Sequence, residues 1–108
     1  MGDSMEITVE ELQAKMGSGA RLTLVDVREP WEWSLCRLDG ARHIPMGEIP
    51  VRHLELDPQD EIVVYCHVGQ RSAMVVEYLR QLGFGKAVNL RGGIDAWARQ
   101  VDPTLRRY

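Results

Sequence analysis

The chain has 108 residues, 44% hydrophobic and 27% charged, a balance that suits one folded domain and excludes a disordered chain. Thirteen Lys and Arg against sixteen Asp and Glu leave a net charge of −3, which gives no electrostatic case for nucleic acid or an anionic membrane. No apolar run approaches the ~20 residues of a membrane span and no signal peptide opens the chain, so a soluble, cytoplasmic protein is expected. Residues 1–108 read as a single domain, with 1–5 expected to be disordered or an expression appendage and 102–108 a C-terminal tail. With no large apolar face left over, a monomer is expected.

Thr8 and Glu11 form a capping box, which predicts a helix over 9–16 closed by Gly17 and Gly19. Residues 22–27 are a nearly continuous apolar run and read as a buried strand. Pro30 fits a first helical turn, so 29–35 reads as a short helix. Residues 41–44 form a brief extended piece, and 51–56, bracketed by Pro50 and Pro58, hold a helical turn or two. Residues 61–66 are the clearest buried strand. A helix from near Ser72 should turn Met74, Val75, Tyr78, Leu79 and Leu82 to the core, leave Arg80 and Gln81 outside and stop at Gly83. A short strand over 87–90 precedes the Gly92-Gly93 turn and a last helix over 94–100. Strands alternating with helices at this spacing predict an α/β domain with a parallel sheet covered on both faces. Function then gathers beyond the carboxyl ends of the strands.

Cys66-His67-Val68-Gly69-Gln70-Arg71-Ser72 lies between the strongest strand and the strongest helix. A strand-to-helix turn with a glycine can aim successive backbone N–H groups at one centre, and the helix adds its own free N–H groups. A thiolate there is stabilised without a histidine base, with Arg71 supplying charge on the rim. The bland alternative is an inert core thiol. Cys36, the other cysteine, reads as packing, and two cysteines are too few for a disulfide framework. His43, His53 and His67 show no metal-ligand spacing, so no metal is expected. Trp31, Trp33 and Trp97 read as core or rim packing, and Arg91 as either a site-mouth or a solvated charge.

Four motifs stand in one order between about residues 7 and 108: Asp26-Val27-Arg28-Glu29; Gly40-Ala41-Arg42-His43-Ile44-Pro45; the Cys66 loop ending Arg71-Ser72; and Leu90-Arg91-Gly92-Gly93-Ile94-Asp95-Ala96-Trp97. In this order the chain resembles the rhodanese domains, a family of sulfurtransferases. The stretch from Trp97 to Tyr108 looks like small single-domain sulfurtransferases and rhodanese domains fused to enzymes that activate ubiquitin-like sulfur carriers. The resemblance implies about five strands in a mainly parallel sheet flanked by helices on both faces. It implies a ping-pong reaction in which Cys66 takes the outer sulfur of thiosulfate, or of another persulfide donor, and passes it on. The acceptor is cyanide in the assay, and a thiol or sulfur-carrier protein in the cell. His67, Val68, Gly69, Gln70, Arg71 and Ser72 would hold the substrate. Asp26 and Arg28 match the family motif near the strand end, and read as an ion-pair support that fixes loop geometry ahead of a substrate contact. No organic cofactor is implied. The chain departs from the pattern at Arg37, where many relatives have histidine.

Two rivals are weighed. Cysteine phosphatases and arsenate reductases use a related loop, but the phosphatases place five residues between cysteine and arginine, enough to ring a tetrahedral phosphate. Here four residues, His67 to Gln70, intervene, which suits a single sulfur atom. The other rival is a persulfide carrier or binding module with weak thiosulfate turnover.

Overall fold

The computed structural model describes residues 5–108, so the expectation for residues 1–4 lies outside the described residues. Five short strands make one sheet: β1 (Glu6–Ile7), β2 (Thr23–Asp26), β3 (Arg42–His43), β4 (Ile62–Tyr65) and β5 (Ala87–Leu90). Their order across the sheet is β1-β5-β4-β2-β3, and every pairing is parallel rather than most of them. Each strand is followed by a helical segment, as a parallel crossover requires. These are α1 (Val9–Gly17), α2 (Pro30–Leu35), α3 (Ile49–Arg52, between two single 3₁₀ turns), α4 (Gln70–Gln81) and α5 (Gly93–Gln100). Among the described residues, no helix is long and apolar enough to cross a membrane.

The local sequence explains most of these elements. The expected capping box is present: Thr8 Oγ1 accepts from the Glu11 N–H at 3.1 Å, and Glu11 Oε1 accepts from the Thr8 N–H at 2.8 Å. All four residues of β4 are buried, and the strand pleat sends them to two cores. Ile62 and Val64 join Val25, Ile49, Val75, Val76, Leu79 and Phe84 on the face covered by α3 and α4. Val63 and Tyr65 join Leu12, Leu24, Leu90, Ile94 and Trp97 on the face covered by α1 and α5. The expected double-sided cover is therefore observed.

Three local expectations need correction. The strand β1 escapes notice in the sequence because its two residues run straight into the α1 capping box. The short helix α3 begins at Ile49, ahead of Pro50, because proline fits the first turn rather than excluding it. Helix α4 begins at Gln70 and buries Ser72, Val75, Val76 and Leu79, while Met74, Tyr78 and Leu82 are 61%, 37% and 44% exposed. Its rotation is set at its first turn, where Ser72 must face the Cys66 sulfur. Residues 75, 76 and 79 share that face and go inward. Met74 and Tyr78 instead line an open apolar groove of about 270 Å³ with Met46, Ile49 and Pro50, an apolar face that the sequence reading had not foreseen. Arg80 is also drawn in, its Nε donating to the Ala87 carbonyl at 2.8 Å.

The chain leaves β2 towards one edge of the sheet, at β3, and leaves β4 towards the other side, at β5. Connections that part in this way open a crevice at the carboxyl ends of the two strands. Asp26 closes β2 and Cys66 follows β4, so both meet there.

Candidate active site

Cys66 is only 1% exposed, and the loop after it folds back over its own thiol. The Gly69 N–H donates to Sγ at 3.1 Å, the Ser72 N–H at 3.4 Å and the Ser72 hydroxyl lies 3.2 Å away. Gly69 makes the reversal with a left-handed φ of 104° as the residue before α4, so the sulfur faces the free amides of that helix. The opposite side of the loop is held by α5. Its first amides donate to the preceding segment, Ile94 N–H to the Cys66 carbonyl and Asp95 N–H to the His67 carbonyl, both at 3.0 Å. These bonds fix the two peptide planes that follow Cys66. Gly93 permits the approach: a Cβ there would collide with the carbonyl oxygens of His67 and Cys66.

Ser72 is in turn gripped from β5. Asn89 Oδ1 accepts from the Ser72 hydroxyl at 2.5 Å, while Asn89 Nδ2 donates to the Gly69 carbonyl at 3.1 Å. The second bond fixes which way the amide points. Ser72 has one hydroxyl proton and two acceptors for it, Asn89 Oδ1 and a Cys66 thiolate. A thiolate can therefore draw that proton, and a thiol can donate its own to Ser72.

Beside this loop runs a chain of ionised groups. Arg28 forks onto Asp26 at 3.0 and 2.7 Å, with both side chains fully buried. Burial acts to lower the Arg28 pKa, but bonds to Asp26 and Tyr108 outweigh it and hold the guanidinium above its ordinary range. Arg28 Nη1 also donates to the Tyr108 hydroxyl at 2.8 Å, and that hydroxyl donates to Glu32 Oε2 at 2.7 Å. Arg71 forks onto the other side of Glu32, Nη1 to Oε1 at 2.7 Å and Nη2 to Oε2 at 2.8 Å. The Glu29 N–H completes the set on Oε1 at 2.9 Å. Burial pushes the Glu32 carboxyl up, yet Arg71, Tyr108 and the Glu29 amide together hold it down at about 2. Glu32 likewise raises Arg71 above its ordinary range.

The predicted residues thus divide. Cys66, Gly69, Ser72 and Arg71 converge, but Arg71 is tied to Glu32 rather than standing as an unpaired rim charge. Val68 and Gln70 face solvent. His67 shapes the loop, its ring stacked on Tyr108 with centroids 4.0 Å apart. Cys36 packs against Arg28, whose Nη1 lies 3.8 Å from its sulfur. Arg91 makes a surface pair with Glu6, and Arg37 lies over Trp33. Glu32, Asn89 and Tyr108 were missed. Asn89 alone carried a signal, as the single polar residue of an otherwise apolar strand. Among the described residues, no group of three or more His, Cys, Asp or Glu could hold a metal.

A family model described as "Rhodanese-like domain" matches residues 8–100. The chain is 43% identical over 104 residues to "Probable adenylyltransferase/sulfurtransferase MoeZ" of Mycobacterium tuberculosis, covering 94% of this chain but 26% of that protein. The chain therefore spans about a quarter of that relative. It is 40% identical over 100 residues to a protein of Allochromatium vinosum named "Sulfurtransferase", covering 93% of this chain and 94% of that one. A rhodanese-like domain protein from Staphylococcus aureus superposes with a TM-score of 0.83 at 35% identity, over 95% of this chain and 97% of the other.

Proposed function

Because the chain belongs to the rhodanese-like domain family, we propose that it is a sulfurtransferase that moves a sulfane sulfur through a persulfide on Cys66. The observation that carries this reading is the Cys66 sulfur ringed by the Gly69 and Ser72 amides and the Ser72 hydroxyl at the start of α4. Such donors favour an anion on sulfur, and the thiolate is the nucleophilic form. In the first half-reaction the Cys66 thiolate attacks the outer sulfur of thiosulfate, a new S–S bond forms, and sulfite leaves with the electrons of the old one. In the second, cyanide or a thiolate attacks the outer persulfide sulfur and the Cys66 thiolate departs. Each half-reaction begins and ends with an anion at the same centre, so one ring of donors serves both. Arg71 and Ser72 hold the loop and steady the anion, Asp26 and Arg28 hold the β2 side, and a persulfide donor other than thiosulfate enters the same scheme.

The test is the intact mass of the reduced protein after exposure to thiosulfate, with Cys66→Ser and Cys36→Ser in parallel. A gain of one sulfur, about 32 Da, is expected in the wild type and in Cys36→Ser and not in Cys66→Ser, and cyanide should remove it as thiocyanate. Loading that survives in Cys66→Ser would overturn the assignment. Hydrolysis of an aryl phosphate that depends on Cys66 would favour the phosphatase chemistry instead.

A further inference from the structure

Glu32 stands in a place that the transfer of sulfur does not require. Its carboxylate has about four acceptor positions, and four donors fill them: Arg71 Nη1, Arg71 Nη2, the Tyr108 hydroxyl and the Glu29 amide. The side chain is 4% exposed, so the carboxylate cannot swing into water to release Arg71. Arg71 also closes the loop that Cys66 opens, five positions on, and the two interact electrostatically. On the other side of Tyr108, Arg28 is cancelled by Asp26 in the same way. The cluster next to the nucleophile therefore holds two acids and two bases in balance, before any thiolate forms.

We propose that Glu32 is a specificity-determining residue, an internal anion on Arg71 that disfavours dianionic thiosulfate and favours donors with a single charge, the class of organic persulfides. The inference rests on the persulfide reading above. A dianion entering this crevice meets an arginine whose two parallel N–H bonds are already taken by a carboxylate. It must then either displace Glu32, leaving a buried charge without its partner, or sit beside it and be repelled. A persulfide, RSS⁻, carries one charge and passes its outer sulfur to Cys66 as RS⁻ leaves, so it needs no second cation. Organic thiosulfonates share that charge while keeping the sulfur–sulfonyl bond of thiosulfate, and so separate charge from chemistry.

The experiment compares single-turnover loading of the full chain by thiosulfate and by methanethiosulfonate, in wild type, Glu32→Gln and Glu77→Gln. With the second donor, the Cys66 thiolate takes the outer sulfur and methanesulfinate leaves, so both reactions put the same sulfur on Cys66. Glutamine preserves the capping box of α2, which accepts either residue. The expected result is that Glu32→Gln shifts the preference about tenfold towards thiosulfate, the scale of one partly screened charge. Removing the exposed charge of Glu77, on α4 but outside the ionic chain, should leave the preference where it was. An unchanged ratio in Glu32→Gln overturns the proposal, as does an equal loss with both donors, which would mark Glu32 as a support for Arg71 alone. Should Glu32→Gln not fold, the salt dependence of wild-type loading decides. It should stay flat or rise between about 20 and about 500 mM salt, and a steep fall would mean an uncompensated cation and overturn the proposal. A wild type that takes no sulfur from either donor brings down the transfer from thiosulfate proposed above, and this inference with it.

Discussion

At the scale of single residues, the sulfur environment depends on where one proton goes. Ser72 can bond Asn89 or Cys66, and Asn89 is held in the accepting orientation only because its own amide is engaged by the Gly69 carbonyl. Asn89→Asp would keep the size but put a carboxylate against the Ser72 hydroxyl and remove the donor to Gly69. Both changes oppose an anion on Cys66. Persulfide loading should slow by about tenfold or more, up to the roughly 10²–10³-fold that loss of one direct donor to a developing anion costs, and stopped-flow or quenched intact-mass kinetics would show it. A loading rate within twofold of wild type would mean that the Ser72 proton is not limiting. The same residues show what the sequence could reveal. Cys66, Gly69, Arg71 and Ser72 are neighbours in the chain, so their convergence follows from one turn and could be read directly. Glu32 meets Arg71 across 39 residues, Asn89 meets Ser72 across 17 and Tyr108 meets Glu32 across 76. Those meetings are consequences of sheet order, which no local pattern encodes.

At the scale of elements, the site is a junction between three helix starts rather than a loop on a scaffold. The first turn of α4 faces the sulfur, the first amides of α5 bind the carbonyls behind it, and the first turn of α2 presents Glu32. Gly93 is the point of closest approach, with a left-handed φ of 62° and loop carbonyls where a side chain would go. Gly93→Ala should therefore push α5 off the loop, costing on the order of 3 kcal/mol and lowering loading by more than the stability loss explains. Urea melts combined with loading of the folded fraction would separate the two effects. A variant with wild-type loading would show that the loop holds its shape without α5. The apolar runs over 22–27 and 61–66 were legible as buried strands because their β-branched residues need cover on both faces. The face of α4 was not legible, since apolar residues at 74, 78 and 82 compete with those at 75, 76 and 79. Contact between Ser72 and Cys66 decided the rotation, so a functional constraint overrode a hydrophobic pattern.

At the scale of the molecule, segment 102–108 is not a loose tail but the strap that joins the two ends of the ionic chain. Asp102 caps its own turn by accepting from the Thr104 N–H at 3.1 Å, and Arg107 pairs with Asp95 at 3.1 Å. Those two anchors bring the Tyr108 ring onto His67 and its hydroxyl between Arg28 and Glu32. Burial pushes this phenol above its ordinary range and the hydrogen bond to Glu32 adds to it, against the opposing pull of Arg28, so it remains a donor to Glu32 throughout the physiological range. Glu32 makes this strap measurable by pH. Its carboxyl is held at about 2 when folded, against 4.5 when exposed. A depressed carboxyl contributes stability that is fully present above the unfolded value and is lost as pH falls through the folded one. The loss, on the order of 3 kcal/mol, should therefore develop between about pH 4.5 and pH 2. Tyr108→Phe removes one of the bonds that hold Glu32 down and takes an acceptor from Arg28, while keeping the ring on His67. At pH 7 it should cost about 2 kcal/mol, the usual scale for a hydrogen bond to a charged group. Towards pH 2 its melting curve should approach that of the wild type, because protonating Glu32 removes from both proteins the charge that the phenol served. A gap between the two curves that is constant from pH 7 to pH 2 would mean that the Tyr108 hydroxyl stabilises the fold through Arg28 alone, and that the ionic chain does not run on through it to Glu32.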